Sequence, residues 1–477
     1  MTLHFQKSAL VTAVFLLAAA GLSYAMEPPT PEQRARYIQD GSLAARVAAA
    51  KEFGNDRAHP GLVREFQIRF DRARRQALGL PDFEDGLSSS ASAGQPLIDG
   101  QLGSQGIKKV FVLLIDFSDY PASNSPASIQ GKLFGAGESG YPYESLNAFY
   151  SRSSYGQLDI QGSTLGWYRP AYPRSGVVMN SNGRDNLVRE ALLYFDGQGH
   201  DFSQYDNDHD GRVDYFLVLW TGPNGEWASF WWGYFTSFSK SLILDGKQFY
   251  GTGYSWQWES RPYPGTFRPS TAIHETGHAL GLPDLYDYDA ETGPDGGIGG
   301  IDVMDGVWGD HNGFSKMLLG WLTPRVCGSD THTEYLRPAG GSPDAAIFFP
   351  KFSLGDPFTE FFMVQNRSRV GNDINLPTDG LLIFHIDATL DAWGEFVYDN
   401  SYTDRKLVRL MEADGLEEID QDLSADAGDY YVPGKSFSTF TKPNSNTYDG
   451  KRTGYLDGIL RSNMDFLCRI GYERIWR

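Results

Sequence analysis

His274, Glu275 and His278 fall within the stretch AIHETGHALGLPDLYD. On a helix the two histidines lie one turn apart on the same face, so both imidazoles can reach a single ion. Glu275 sits beside them, where a carboxylate can take a proton from water. Gly281 follows His278 by three residues and Asp284 by six. A glycine at that distance can end the helix in a left-handed conformation and turn the chain back. The turn brings the Asp284 carboxylate round as a third ligand, with Asp287 a nearer rival for that role and His311 a more distant one. Two histidines, one carboxylate and an open position describe a catalytic Zn²⁺ site. Chance yields an HExxH spacing only about 0.01 times in a chain with this histidine content.

A second constellation lies at DNDHDGRVD, residues 206–214. Asp206, Asp208 and Asp210 alternate, Gly211 follows, and Asp214 takes the ninth position, as at the start of a Ca²⁺ loop. The twelfth position is Leu217 rather than the usual Glu, and a strand follows where a helix is normal. The loop is therefore expected to bind Ca²⁺ in its own way, since carboxylates this close repel one another without a cation. The acidic stretch from Asp284 to Asp302, with Asp287, Asp289 and Asp295, is a further candidate for an ion.

These side chains need a scaffold. KKVFVLLIDF and RVDYFLVLW are near-continuous apolar runs, which read as strands buried on both faces. QLDIQGSTLGWY alternates as a strand, while ESLNAFYSRSSYG, ending at Gly156, and GRDNLVREALLYFD read as helices. The metal helix is expected to start near Ser270 or Thr271, either of which can cap it after Pro269. The order of elements makes residues 107–325 an α/β domain. From Val326 to 477, EFFMVQNRS, GLLIFHID, KLVRLMEAD and RTGYLDGILRSN are short runs between turn residues, and they predict a β-rich C-terminal domain.

Residues 1–25 read as a secretory signal peptide: Lys7, an apolar Ser8–Leu22 stretch too short to span a bilayer comfortably, then Ser23-Tyr24-Ala25. PEQRARYIQ, SLAARVAAAKEF and PGLVREFQIRFDRARRQAL have helical periodicity, and residues 88–106 are Ser/Gly-rich and read as an exposed linker. Residues 26–106 thus have the layout of a helical propeptide and linker, able to inhibit the site intramolecularly. The segment lacks cysteine, so a carboxylate such as Asp40, Asp82 or Asp99 would have to block the metal. Cys327 and Cys468, the two cysteines, both fall in the exported part, where a disulfide is allowed. A net charge of −19 argues against nucleic acid, and stable membrane insertion is not expected.

The chain resembles the immune inhibitor A-like metallopeptidases of the metzincin clan. HETGHALGLPDLYD carries the likeness, joined by DFSD (116–119), SSYGQLDI (153–160), the DNDHDGRVD loop, GIDVMDG around Met304, LLGW (318–321), VQNRS (364–368), LPTDGLLIFHID (376–387) and LMEADG (410–415). The resemblance implies a zincin-type fold, Zn²⁺ held by His274, His278 and Asp284, Glu275 as catalytic base, Met304 as a hydrophobic floor, and extracellular protein or peptide substrates. Gly306 stands where many metzincins carry a tyrosine. WTGPNGEWASFWW, residues 220–232, would be the rim of the cleft, although core packing explains its tryptophans equally well. Two other classes fit parts of the pattern: a zinc hydrolase of a non-protein amide, and a calcium-dependent binding module without catalysis. The intact Glu275 argues against the latter, because a structural zinc needs no base.

Overall fold

The computed structural model describes residues 29, 31–53, 55–80, 101–137, 144–289, 291–306, 309–327, 332–350 and 355–453, and the backbone of 455–462 and 465–472. Three helices come first, close to the positions their periodicity predicts: α1 (Pro31–Asp40), α2 (Leu43–Phe53) and α3 (Pro60–Ala77). Then follow β1 (Gly106–Ile115), α4 (Pro126–Phe134), α5 (Leu146–Ser153), β2 (Leu158–Tyr168), α6 (Ser181–Gly197), β3 (Tyr215–Trp220), β4 (Tyr234–Ser237), β5 (Ile243–Leu244), β6 (Lys247–Gln248) and β7 (Gly253–Trp258). A five-stranded sheet runs in the order β2-β1-β3-β7-β4, parallel except for the antiparallel edge strand β4.

The near-continuous apolar runs are explained by burial of both faces of this sheet. Val110, Val112, Leu114, Leu217 and Leu219 point into one apolar cluster, and Phe111, Leu113, Ile115, Phe216 and Val218 into the other. Helices α4, α5 and α7 (Ser270–Ala279) lie on the first face and α6 on the second. The tryptophan-rich segment is core rather than rim in its packing. Trp220, Trp227 and Trp232 are buried, and Trp220, Trp231 and Trp256 pack ring against ring at 5.0–6.0 Å.

Helix α8 (Gly313–Leu318) leads into β8 (Arg325–Cys327), β9 (His332–Leu336), β10 (Ala346–Phe348), β11 (Glu360–Arg367), β12 (Gly380–Asp387), β13 (Val408–Leu410), β14 (Ser436–Ser438), β15 (Tyr455–Ser462) and β16 (Asp465–Tyr472). They form sheets of order β13-β12-β11-β10-β8 and β14-β15-β16-β9, matching the β-rich expectation. The apolar cluster under α7 continues through Phe314 of α8 into Phe361, Met363, Leu382 and Phe384, so one core runs beneath both parts of the chain.

Two expectations need correction. Residues 101–103 are not an exposed linker: Gln101 and Leu102 are 6% and 2% exposed, and the Leu102 N–H donates to Ala279 O at 3.0 Å. Leu102 joins the main apolar cluster, and that burial holds the segment down. Neither Ser270 nor Thr271 caps α7; Pro269 occupies the cap position and no side-chain cap bond forms. Cys327 is buried, whereas the side chain of Cys468 and all of residues 1–25 lie outside the described residues. Among the described residues, no helix is long and apolar enough to cross a membrane.

Candidate metal centre

Helix α7 ends at Ala279, and Gly281 adopts φ +94°, the left-handed turn its position calls for. The chain reverses and Asp284 comes back over the helix. His274, His278 and Asp284 each present a ligand atom, all within 4.8 Å of one another. Asp284 Oδ1 lies 2.9 Å from His274 Nε2 and 3.4 Å from His278 Nε2. None of these three atoms has a hydrogen-bond partner or reaches solvent.

The outer side of each ligand is fixed. His274 Nδ1 faces Val303 O at 2.6 Å and Gly306 O at 3.1 Å, and His278 Nδ1 faces Leu282 O at 2.8 Å. A carbonyl only accepts, so each Nδ1 carries hydrogen and each Nε2 is left facing the third ligand. The Tyr288 hydroxyl donates to Asp284 Oδ2, which leaves Oδ1 as the free oxygen.

The electrostatics of the pocket favour positive charge at the point where the three meet. Burial alone would depress His274, but the Asp284 carboxylate outweighs it and holds the imidazole up at about 9. Burial would raise Asp284, yet the two imidazoles hold it down at about 2. A cation among three otherwise orphaned donor atoms satisfies all of them, so the residues fit a metal of the Zn²⁺ type. Glu275 is fully buried beside them, and neither of its oxygens has a partner. Burial pushes its carboxyl up to about 7 despite the neighbouring histidines.

The rivals stand elsewhere. Asp287 and His311 belong to no such group among the described residues. His311 Nδ1 pairs with Ser153 Oγ at 2.8 Å, and burial pushes the ring down to about 3, so it stays neutral. Asp289 and Asp295 likewise join no three-ligand cluster among the described residues.

Met304 is buried beneath the helix. A Cβ added at Gly277 would come within 2.3 Å of its sulfur, which explains a glycine in the middle of the motif. The turn that carries Met304 is tied by Asp302, whose carboxylate accepts from Met304 N at 2.7 Å and from Asn312 N at 2.6 Å. Sequence reasoning missed Arg367. It lies in the VQNRS stretch, fully buried, paired with Asp373 at 2.6 Å and donating to Ile301 O at 2.9 Å and Asp310 O at 3.1 Å. The motif itself was visible, but nothing local shows a side chain reaching 66 residues back.

The N-terminal helices lie over this site. Asn55 O accepts from Asp284 N at 2.6 Å, and His59 N donates to Gly281 O at 2.9 Å. Arg46 donates to Trp227 O at 2.8 Å, and Tyr37 to Glu226 at 2.6 Å. Asp40, one of the carboxylates expected to reach the metal, is instead exposed and accepts from Ser42 N; Asp82 and Asp99 lie outside the described residues. Asn55 and His59 reach the turn instead, because the break between α2 and α3 falls there.

No known family's sequence profile matches the chain. Over 237 residues it is 26% identical to Pre-pro-metalloprotease PrtV of Vibrio cholerae serotype O1, a match covering 39% of this chain and 26% of that protein. Over 253 residues it is 25% identical to Immune inhibitor A of Bacillus thuringiensis subsp. alesti, covering 42% of this chain and 36% of that protein. The chain is a distant relative of metalloproteases. Well over half of each relative's length lies outside the match.

At the second constellation, Asp206, Asp208, Asp210 and Asp214 converge with ligand atoms within 4.8 Å of one another. Asp206 Oδ2 is held by Lys247 Nζ at 2.7 Å, while its Oδ1 is buried without a partner. Burial pushes Asp214 up to about 8. Gly211 has φ +92°, as the sharp turn of such a loop requires.

Proposed function

We propose that the chain is a secreted zinc-dependent endopeptidase acting on extracellular proteins. In this reading His274, His278 and Asp284 hold the ion, and Glu275 is the general base. The observation that carries it is the set of three unpartnered ligand atoms beside an equally unpartnered buried carboxylate. Zinc bound there would supply Lewis acidity to a peptide carbonyl and acidify water.

The chain's own residues do the rest. Glu275, buried beside the ligands with no partner on either oxygen, is placed to accept a proton from water and deliver it to the amide nitrogen as the peptide bond breaks. Tyr288 keeps one oxygen of Asp284 turned away from the reaction, and three backbone carbonyls hold the two imidazoles in register. Residues 26–106 act as a propeptide; the contacts of Asn55, His59 and Leu102 with the metal turn support latency while they stay in place. The Asp206–Asp214 loop binds Ca²⁺, a role supported by the orphaned Asp206 oxygen. Ser8–Ala25 supports export.

The test is hydrolysis of casein and of small amides by protein freed of its N-terminal segment, with and without a zinc chelator. Glu275→Ala should keep zinc and lose turnover, and Asp284→Ala should retain zinc poorly. Wild-type turnover by Glu275→Ala would refute the mechanism. Cleavage of small amides with casein untouched would favour a hydrolase of non-protein amides.

A further inference from the structure

The LMEADG stretch contains two carboxylates, Glu412 and Asp414, that the zinc site does not use. The chain leaves β13 at Met411 and returns beside the same neighbour, β12, where Tyr431 and Leu381 exchange backbone hydrogen bonds at 2.9 and 3.0 Å. The loop between them brings in Glu418, Asp426 and Asp429. Glu412, Asp414 and Asp429 place ligand atoms within 4.8 Å of one another, and Asp414, Glu418 and Asp426 form a second such group.

The inner carboxylates are held by backbone N–H groups rather than by basic side chains. Glu412 accepts from Glu418 N at 2.6 Å and Ile419 N at 3.2 Å, Asp414 from Leu416 N at 3.0 Å, and Asp429 from Asp426 N at 2.7 Å. Among the described residues, no lysine or arginine forms an ion pair with any of the five. Asp429 is 2% exposed, and its other oxygen, Oδ1, is sealed from solvent with nothing to accept from. An acidic loop alone is an ordinary solvated surface; a buried carboxylate grouped with two more, one of its oxygens without a donor, is not.

We propose that Glu412, Asp414 and Asp429 bind a divalent cation, and that the cation is Ca²⁺. Every donor is a hard oxygen, with no nitrogen or sulfur to select a transition metal. Glu418 and Asp426 share Asp414 with the inner group and add negative charge on the outer side. Burial, together with Glu412, Asp414 and Asp426, pushes Asp429 up to about 7, the strain that a cation relieves.

The ion would steady the floor of the zinc site from a distance. Ala425 N of the same loop donates to Gly299 O at 2.9 Å. The neighbouring Ile298 and Gly300 N–H groups donate to Asp305, within the turn whose Val303 and Gly306 carbonyls hold His274.

The experiment is Ca²⁺ binding to the chelator-stripped full-length chain, measured by equilibrium dialysis and calorimetry. Asp429→Asn, nearly isosteric, should remove one equivalent of Ca²⁺ or weaken it by about tenfold or more. Asp208→Asn in the other acidic loop should leave that equivalent in place. Wild-type stoichiometry and affinity in folded Asp429→Asn would overturn the proposal. Hydrogen exchange on the wild-type chain gives a reading that needs no variant. Ca²⁺ should slow exchange in peptides covering residues 412–430, and unchanged exchange there would also overturn it.

Discussion

Tyr288→Phe removes one hydroxyl and leaves the ring, so it isolates the hydrogen bond to Asp284. Tyr288 and Asp284 are 2% and 1% exposed, and no solvent is at hand to replace the donor. Burial and the adjacent Asp284 push the phenol well above its ordinary range, so it stays a donor at any working pH. A buried hydrogen bond to a charged group contributes about 1.5–3 kcal/mol. Its loss lets the carboxylate rotate and leaves Oδ2 unpaired. Loss of an outer partner of this kind weakens metal affinity by about 10- to 100-fold. The assay is competition for zinc between the variant and a chelator of known affinity, with Asp284→Ala as the lower bound. Tyr286→Phe serves as control, since the Tyr286 hydroxyl makes no hydrogen bond to Asp284. Activity per bound zinc should stay within a few-fold of wild type. Zinc retention equal to wild type would refute the orienting role. Full retention with lost turnover would move Tyr288 from holding the ligand to acting on the substrate.

Arg367→Met should cost about 3–5 kcal/mol by leaving Asp373 buried without its cation, read as a lower melting temperature, and pairing it with Asp373→Leu should recover much of the loss. Gly277→Ala forces a methyl against the Met304 sulfur and should destabilise by about 1–3 kcal/mol; an unchanged melt would show that Met304 has room to move. In chelator-treated protein, Asp214 stands at about 8 and Asp429 at about 7 through burial, both above the ordinary carboxylate value. Groups raised in the folded state contribute stability that is full below about pH 4 and lost as pH rises through 7 to 8. The stripped protein should therefore melt lower at pH 8 than at pH 5.5, with Ca²⁺ closing the gap. A gap that Ca²⁺ does not narrow would remove both acidic loops as cation sites.

The part of the site that lies within eleven residues of chain was legible. Helical spacing aligns His274 with His278, and the left-handed Gly281 dictates the return of Asp284. Strands β1 and β3 were legible because burial on both faces writes an unbroken apolar run. Strands β4 and β7 were not, because their tryptophans and tyrosines read as composition rather than period. Helix α8 is too short, at six residues, to show a period. Asp40, Asp82 and Asp99 qualify as metal blockers by residue type alone. Contact at Asn55 and His59 depends on how the α2–α3 bend docks, which no local pattern encodes. Arg367 was hidden for the same reason, since its partners belong to other elements.

That arginine bears on where the gene can be cut. A fragment ending at residue 325 would contain every proposed zinc ligand and the base, yet Ile301 O and Asp310 O would lose the guanidinium that ties them to β11. The strand that looks like an appended module is a foundation wall, and shuffling it between proteins would unsettle chemistry it never touches.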